Sequence, residues 1–204
     1  MSNSLILAID VGTTNCKTLL LDRDLNVLAK VSSEYPVAVP QPGWAEQQPE
    51  DWWVAVKESI RRVVAHADPA AIQAVGLSGQ MHGLVALDRQ GRVLRPAILW
   101  NDQRSAPQCQ AIYERVGGKG KLVAHTNNAM LPGYTGGKIL WLRDHDPAIY
   151  GQIATVLLPK DYLRFRLTGD RATDVSDASG TGLFDVRARQ WAYRLMDLLD
   201  IPGE

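Results

Sequence analysis

The chain has 204 residues, 46% of them hydrophobic and 22% charged, which suits a soluble globular protein of one domain, or at most one and a half. Its 22 basic and 22 acidic side chains balance, so no net charge attracts nucleic acid or an anionic membrane. No apolar run approaches the roughly 20 residues that cross a bilayer, and no signal peptide opens the sequence, so we expect a cytoplasmic protein.

The chain opens with an apolar run, 5–9, that predicts a strand buried on both faces and ending in Asp10. In the following turn Gly12 lets the backbone approach a ligand, while Thr13 and Thr14 add hydroxyl groups beside free N–H groups, so the turn suits phosphate oxygens. Because like charges repel, we expect Asp10 to hold a hydrated Mg²⁺ that bridges to the phosphates. The alternative is an ordinary Asx turn, and the spacing alone does not decide between the two.

Two further strands are predicted at 17–22 and 27–35, with a four-residue turn between them. Connections this short join antiparallel neighbours. We therefore predict an antiparallel meander of three strands. This arrangement argues against a dinucleotide-binding βαβ unit, and the Gly-x-Gly-x-x-Gly fingerprint of such a unit is also missing.

The two cysteines are Cys16, beside the first turn, and Cys109, in a predicted helix. Their spacing matches no set of metal ligands. In a cytoplasmic protein we expect both to be reduced thiols buried in the core.

After a proline-rich loop the sequence takes the period of a helix. Its apolar positions share one face, and they are Trp52, Trp53, Val56, Ile60, Val63, Val64 and Ala67. Pro49, Glu50 and Asp51 suit the first turn, because proline has a fixed φ and acidic side chains interact favourably with the helix dipole. We interpret the two tryptophans as core packing.

A strand–loop–strand unit follows, with strands at 71–77 and 84–88. The loop between them reads Ser-Gly-Gln-Met-His-Gly, so glycines flank a thioether and an imidazole at the end of the sheet. Loops held by such a scaffold commonly carry binding residues, and Met81 and His82 are candidate ligand contacts. The alternative for His82 is a structural histidine with its hydrogen bonds satisfied inside the protein.

Another buried strand, 97–100, ends in polar residues and leads into a helix that Gly117 ends. Asp102 has two interpretations. It is either the N-cap of this helix or, with Asn101 and Arg104, one of the mixed donors and acceptors that a polyhydroxylated ligand needs.

The segment 117–137 is polar and rich in glycine. We predict a surface excursion that returns near the pocket, with Tyr134 placed to stack on a sugar ring. Beyond it we predict a short helix from 138, a strand at 153–158, a helix at 160–167 that Gly169 ends, and an amphipathic segment at 195–201. The polar stretch 173–182 is predicted to be a loop that lies against the cleft.

Taken together, these stretches resemble the N-terminal domain of the FGGY family of carbohydrate kinases. The resemblance covers nearly the whole chain and rests on the order and spacing of its motifs. The motifs are 10–14, 79–83, 93–102, 138–141, 157–163 and 173–180. The Gln-Met-His-Gly loop is closest to members that phosphorylate D-xylulose, rather than to gluconokinase-like or glycerol-kinase-like members.

The resemblance implies an α/β fold of ribonuclease H-like topology, as in actin, hexokinase and Hsp70, with ATP between two domains. An opening antiparallel meander and a mixed sheet flanked by helices belong to that fold. The resemblance places Asp10 on the phosphate and Mg²⁺ side of the cleft. On the sugar side it places Met81, His82, Asn101, Asp102 and Tyr134.

The implied reaction is the ATP-dependent phosphorylation of the terminal hydroxyl of D-xylulose, with Mg²⁺ as the metal ion. The family's catalytic base is an aspartate in a Gly-Asp-Asn segment downstream of everything in this sequence. We therefore expect residues 1–204 to be an N-terminal domain that is incomplete at its C-terminal end and lacks the nucleotide-binding domain. We assign no catalytic residue, since Asp174 and Asp177 belong to a motif that the family uses structurally.

Three interpretations of function follow. The first is the sugar-binding N-terminal part of a D-xylulose kinase, which would be a poor enzyme alone. The second keeps the class but changes the sugar to ribulose, gluconate or another polyol, and the third is a non-catalytic domain that binds a sugar or a protein. We expect small-molecule partners, the sugar and ATP, with a homodimer as the candidate assembly and neither nucleic acid nor membrane.

Overall fold

The computed structural model describes residues 4–65 and 67–203. Its strands are β1 (Leu5–Val11), β2 (Asn15–Asp22), β3 (Val27–Glu34), β4 (Glu46–Gln47), β5 (Ile72–Gly79), β6 (Val85–Leu87), β7 (Ala97–Ile98), β8 (Thr155–Leu157), β9 (Phe184–Asp185) and β10 (Gln190–Trp191). Its helices are α1 (Pro49–Val64), α2 (Ala106–Val116), α3 (Lys119–Thr126), α4 (Thr135–His145), α5 (Pro147–Tyr150), α6 (Pro159–Thr168), α7 (Val175–Ser179) and α8 (Tyr193–Leu198).

The main sheet has the strand order β3-β2-β1-β5. The first three strands pair antiparallel, which confirms the predicted meander, whereas β5 pairs parallel to β1 because α1 crosses between them. Val11 lies opposite Gly79 in this parallel pair. The turn after β1 and the loop after β5 therefore leave the sheet at the same edge, which is where the candidate phosphate and sugar residues are found.

Helix α1 packs its apolar stripe on the sheet, as its period predicts. Trp52 is fully buried and contacts the ring of Tyr162 at 6.4 Å between centroids, while Trp53 is partly buried against the same core. Both tryptophans therefore pack in the core, which confirms that interpretation. Pro49 occupies the first turn of the helix, and basic residues follow in the last turn.

A second hydrophobic core lies around the short β6 and β7 strands and the helices α2, α4 and α8. Strand β6 pairs with β8, and β7 pairs with β4. Leu84 and Ile98 form an isolated bridge that anchors the end of the loop after β5. The loop after β5 therefore ends in this core, since Leu84 is fully buried in it.

Three details differ from the sequence-based predictions. The polar segment 117–137 contains α3, whose Leu122 is fully buried although few apolar neighbours mark the helix in the sequence. The stretch 173–182 is partly helical, since it includes α7 with Asp174 as its N-cap. Ser105, and not Asp102, occupies the N-cap position of α2.

Cys16 and Cys109 are buried and form no disulfide, as predicted, and burial raises the pKa of both thiols. Across residues 4–65 and 67–203, no helix is long and apolar enough to cross a membrane.

Candidate active site

The turn after β1 presents unpaired backbone amides at the edge of the sheet. The amide of Gly12 donates to the carbonyl of Asn15 at 2.9 Å and closes the turn, whereas within the described residues the amides of Thr13 and Thr14 donate no hydrogen bond. The side chain of Asp10, at the end of β1, is exposed. An exposed carboxylate beside two free amides fits a hydrated Mg²⁺ that bridges to phosphate oxygens.

The buried amide side chain of Gln47 joins this turn to the loop after β5. Its Nε2 donates to the carbonyl of Thr13 at 2.7 Å. Its Oε1 accepts from the indole N–H of Trp52 at 3.0 Å and from Nε2 of Gln80 at 2.9 Å. The backbone N–H of Gln80 in turn donates to the backbone carbonyl of Val11 at 2.7 Å. The turn after β1 and the loop after β5 are thus held by one hydrogen-bond network.

His82 lies in that loop in a left-handed backbone conformation, with φ at 61°. Its Nδ1 lies 2.8 Å from the carbonyl oxygen of Gly180, and its ring lies 4.5 Å from the ring of Tyr134, tilted by 34°. Met81, beside it, is half exposed. The structure therefore places the rings of His82 and Tyr134 side by side, with Met81 next to His82 in the same loop.

The hydrogen bond to Gly180 defines the tautomer of the His82 imidazole. A carbonyl oxygen only accepts, so Nδ1 carries the proton and Nε2 keeps a lone pair in the neutral ring. Burial lowers the pKa of His82 below its usual 6.5, and the charge of Lys138 lowers it further, against the raising effect of the Gly180 hydrogen bond. The ring is neutral at pH 7 and offers Nε2 as an acceptor.

Two glycines near this ring, Gly180 and Gly133, lie too close to their neighbours to carry a side chain. A Cβ on Gly180 would lie 2.3 Å from Nδ1 of His82, nearer than any side chain allows. A Cβ on Gly133 would lie 2.5 Å from the carbonyl oxygen of Trp100. Glycine is required at both positions because the backbone approaches its neighbours too closely for a side chain.

Trp100 joins the two halves of the site. Its indole N–H donates to Oγ1 of Thr13 at 3.0 Å, and 45% of the residue is exposed. Its carbonyl packs against Gly133, next to Tyr134. The candidate phosphate turn and the candidate sugar contacts are therefore parts of one continuous surface.

Asn101 and Asp102 lie in different environments. Asn101 is exposed, and its side chain forms no hydrogen bond within the described residues. Asp102 is fully buried: its carboxylate forms a forked ion pair with Arg104 at 2.7–3.0 Å and accepts from the amide of Ala45 at 2.7 Å. The structure therefore gives Asp102 a structural position and corrects the expectation that it faces a ligand, since all its acceptor capacity is used inside the protein.

Asp161, Asp174 and Asp177 form an acidic cluster on α6 and α7. The ammonium of Lys160 lies among the three carboxylates at 2.5, 2.8 and 3.3 Å. The positive charge in this cluster is therefore a lysine, which ties α7 to α6. This places Asp174 and Asp177 in a structural role.

The sequence matches the family model of the N-terminal domain of FGGY carbohydrate kinases over residues 5–204. The chain belongs to the FGGY family of carbohydrate kinases. It is similar to the xylulose kinases of Klebsiella pneumoniae, at 41% identity, and of Escherichia coli strain K12, at 43%, each over 198 residues. Each alignment covers 97% of this chain and 40% of the relative, so the chain spans about two fifths of their length.

Solved structures show the same FGGY kinase fold. A ligand-bound xylulose kinase from Lactobacillus acidophilus superposes with a TM-score of 0.91 at 32% identity. A gluconate kinase from Lactobacillus acidophilus superposes with a TM-score of 0.89 at 33% identity. Each comparison covers 98% of this chain and 40% of the other. The chain therefore has the ribonuclease H-like fold that these kinases share with actin and hexokinase.

Three residues of this FGGY domain were missed as site residues by the sequence analysis. They are Gln47, Trp100 and Lys138. The ammonium of Lys138 donates hydrogen bonds to the carbonyls of His82 and Gly133. In the sequence, Gln47 lies in the proline-rich segment before the first helix and Trp100 ends a predicted apolar strand, so both look like ordinary loop or core residues. Lys138 had one signal: a lysine directly after two glycines at the start of a helix that is otherwise buried.

Proposed function

We propose that this chain forms the sugar-binding part of a xylulose kinase, which transfers the γ-phosphoryl group of ATP to the terminal hydroxyl of D-xylulose. The observation that carries the proposal is the geometry of His82. Its Nδ1–H is committed to Gly180, so Nε2 is available to accept from a sugar hydroxyl beside the ring of Tyr134. The similarity to xylulose kinases supports the choice of a ketopentose.

The sugar side combines one directional acceptor with apolar surfaces. His82 would orient the sugar through a hydroxyl group, while the exposed faces of Met81 and Trp100 would pack against its C–H groups. Asn101, which is exposed, would supply an amide for a second hydroxyl. Such a mixed surface suits a polyhydroxylated ligand.

The phosphate side would receive ATP at the turn after β1. The free amides and the hydroxyls of Thr13 and Thr14 would donate to phosphate oxygens, with Gly12 giving access to the backbone. Asp10 would hold Mg²⁺ through water, and the bound ion would neutralise charge on the phosphates. The hydrogen bond from Trp100 to Thr13 supports alignment of the two substrates, because it fixes one subsite against the other.

The attacking hydroxyl must also lose its proton. We assign no described residue to this step. We propose that the base and the adenosine site lie in a part of the kinase that corresponds to the other three fifths of the relatives' length. The chain alone would bind the sugar but turn over poorly, since loss of a general base costs about a hundred- to ten-thousand-fold.

Gluconate is the second candidate substrate, because a gluconate kinase is among the similar structures. A sugar acid needs a free cation near its carboxylate. Among the described residues around His82, Lys138 is committed to two carbonyls, and Arg104 to Asp102 and Glu46. This arrangement favours a neutral sugar over a sugar acid.

Calorimetric titration of the chain with D-xylulose, D-ribulose, gluconate and glycerol tests the proposal. We expect D-xylulose to bind tightest and gluconate weakest. Tighter binding of gluconate or ribulose would replace the proposed substrate, and binding of none of the four would remove the sugar-binding function. ATP-dependent phosphorylation of D-xylulose with Mg²⁺ is the companion assay, in which turnover by the chain alone would place a base within these residues.

We also propose a cytoplasmic location and a homodimeric assembly. Two buried cysteines that form no disulfide support the first. The second is supported by β5, an edge strand of the main sheet on which Val75 is half exposed. A light-scattering mass of one chain would reject the homodimer.

A further inference from the structure

Lys138, on α4, is fully buried and forms no ion pair within residues 4–65 and 67–203. Its ammonium instead donates to two backbone carbonyls, that of His82 at 2.8 Å and that of Gly133 at 2.6 Å. Burying an ammonium with only neutral partners is costly, and a Met or Leu side chain would fill the same space at lower cost. A purely structural role therefore does not explain the charge.

The two carbonyls belong to the two loops that carry the candidate sugar contacts. His82 lies on the loop after β5, and Gly133 directly precedes Tyr134 at the start of α4. The hydroxyl of Thr135 donates to the same His82 carbonyl at 3.1 Å. Two donors, on Lys138 and Thr135, therefore hold the carbonyl of His82, a residue in the unfavourable left-handed backbone conformation.

We propose that Lys138 is a positioning residue for the sugar: its ammonium holds His82 in the left-handed conformation and joins the His82 loop to the Tyr134 loop. The imidazole then points its free Nε2 into the site, with the Tyr134 ring at a fixed distance. This inference rests on the sugar-binding role proposed above for His82.

The protonation of Lys138 provides a signature that simple packing lacks. Burial and, to a smaller extent, the charge of Arg104 lower the pKa of Lys138 to about 7, against the raising effects of Asp102 and Cys109. His82 also faces it, and burial lowers the pKa of His82 below its usual 6.5, so this imidazole loses rather than gains charge as the pH rises through the range. A neutral amine donates weaker hydrogen bonds than an ammonium, so sugar affinity should fall as the pH rises from 6.5 to 9.

The test compares variants of the full chain. Lys138→Met removes the charge and keeps the volume, and Thr135→Val removes only the second donor to His82. Ser59→Ala is the matched control, because it deletes a buried hydrogen bond on α1 away from both loops. D-xylulose affinity is measured by calorimetry from pH 6.5 to 9, and the Cε1–H signal of His82 is followed by NMR.

We expect Lys138→Met to weaken D-xylulose binding about tenfold or more, to shift the His82 signal and to abolish the pH dependence. Thr135→Val should act in the same direction to a smaller extent, and Ser59→Ala should leave binding unchanged. Wild-type affinity in a folded Lys138→Met chain, or an unmoved His82 signal, would overturn the proposal. If Lys138→Met does not fold, unchanged binding in Thr135→Val overturns it, and weakened binding supports it.

A wild-type chain that does not bind D-xylulose would remove the proposed substrate without deciding the role of Lys138. The His82 signal then decides it, since that signal reports the loop geometry without a ligand. A shift in Lys138→Met and not in Ser59→Ala supports the positioning role, and equal spectra overturn it.

Discussion

Nδ1 of His82 lies 2.8 Å from the carbonyl oxygen of Gly180, which is 98 positions away in the chain. This single hydrogen bond links the loop after β5 to the end of α7 and determines which ring nitrogen carries the proton. It also requires a glycine, because a Cβ at position 180 would overlap the imidazole.

Replacing His82 by alanine should weaken D-xylulose binding by about tenfold or more, because the acceptor for the sugar hydroxyl is lost. Alanine also costs about 1–2 kcal/mol in a left-handed conformation, whereas asparagine adopts it readily. His82→Asn is therefore the control for backbone strain. Calorimetry and thermal melting of both variants measure the two effects. A large fall in melting temperature for His82→Asn, with sugar binding intact, would identify a core histidine instead.

Gly180→Ala should displace the imidazole and weaken sugar binding by up to about a hundredfold, because small misplacements of a positioned group are costly. Gly76→Ala on β5 is the matched control, since a Cβ there has no neighbour within 4 Å. Titration with D-xylulose compares the two variants. Equal affinity in both would show that the Gly180 contact does not position His82.

Acid should weaken both sugar binding and the fold through His82. Its pKa in the folded chain lies below 6.5, so the unfolded chain binds the proton first. The stability that the neutral ring contributes is complete above about pH 6.5 and is lost as the pH falls through the folded pKa. Protonated Nε2 no longer accepts a hydrogen bond.

Urea unfolding and D-xylulose titration between pH 5 and 7 measure these acid effects. Asp177, whose pKa burial raises, also lies near His82. His82→Asn separates the two groups, because it keeps Asp177 and should lose the fall in affinity below about pH 6, where Lys138, with a pKa of about 7, stays charged. A fall in affinity below pH 6 that persists in His82→Asn would assign it to Asp177.

Gln47→Leu should destabilise the chain by about 2–3 kcal/mol, because it leaves the buried donors of Trp52 and Gln80 without their acceptor. Gln110→Leu on the exposed side of α2 removes only a surface hydrogen bond to Glu114 and should change stability by less than about 0.5 kcal/mol. The free energy of unfolding in urea measures both. Similar values for the two would show that the Gln47 network does not support the turn.

Much of the architecture follows from local patterns. The meander follows from short connections between apolar runs, and α1 follows from one apolar stripe after a proline and two acidic residues. In contrast, α3 was missed because a single buried leucine in a polar, glycine-rich segment gives no clear period. Its helix is stabilised by the core it packs on, which a local window of sequence does not contain.

The candidate site divides in the same way. The motifs show which chemical groups are present: a carboxylate and two threonines at the end of the first predicted strand, and a histidine between glycines after a later one. They do not determine which of these groups face a ligand. In the sequence both Asp102 and Asp10 come at the end of an apolar run that predicts a strand, yet Asp102 is buried in an ion pair and Asp10 is exposed.

The tautomer of His82, the burial of Lys138 and the link from Trp100 to Thr13 follow from the three-dimensional packing. Each depends on a partner 56 to 98 positions away: Gly180 for His82, His82 for Lys138, and Thr13 for Trp100. Hydrogen bonds are short-ranged and directional, so their partners are chosen by packing and not by neighbours in sequence. The motifs therefore identified the family, and the packing of distant segments set the geometry of the candidate sugar site.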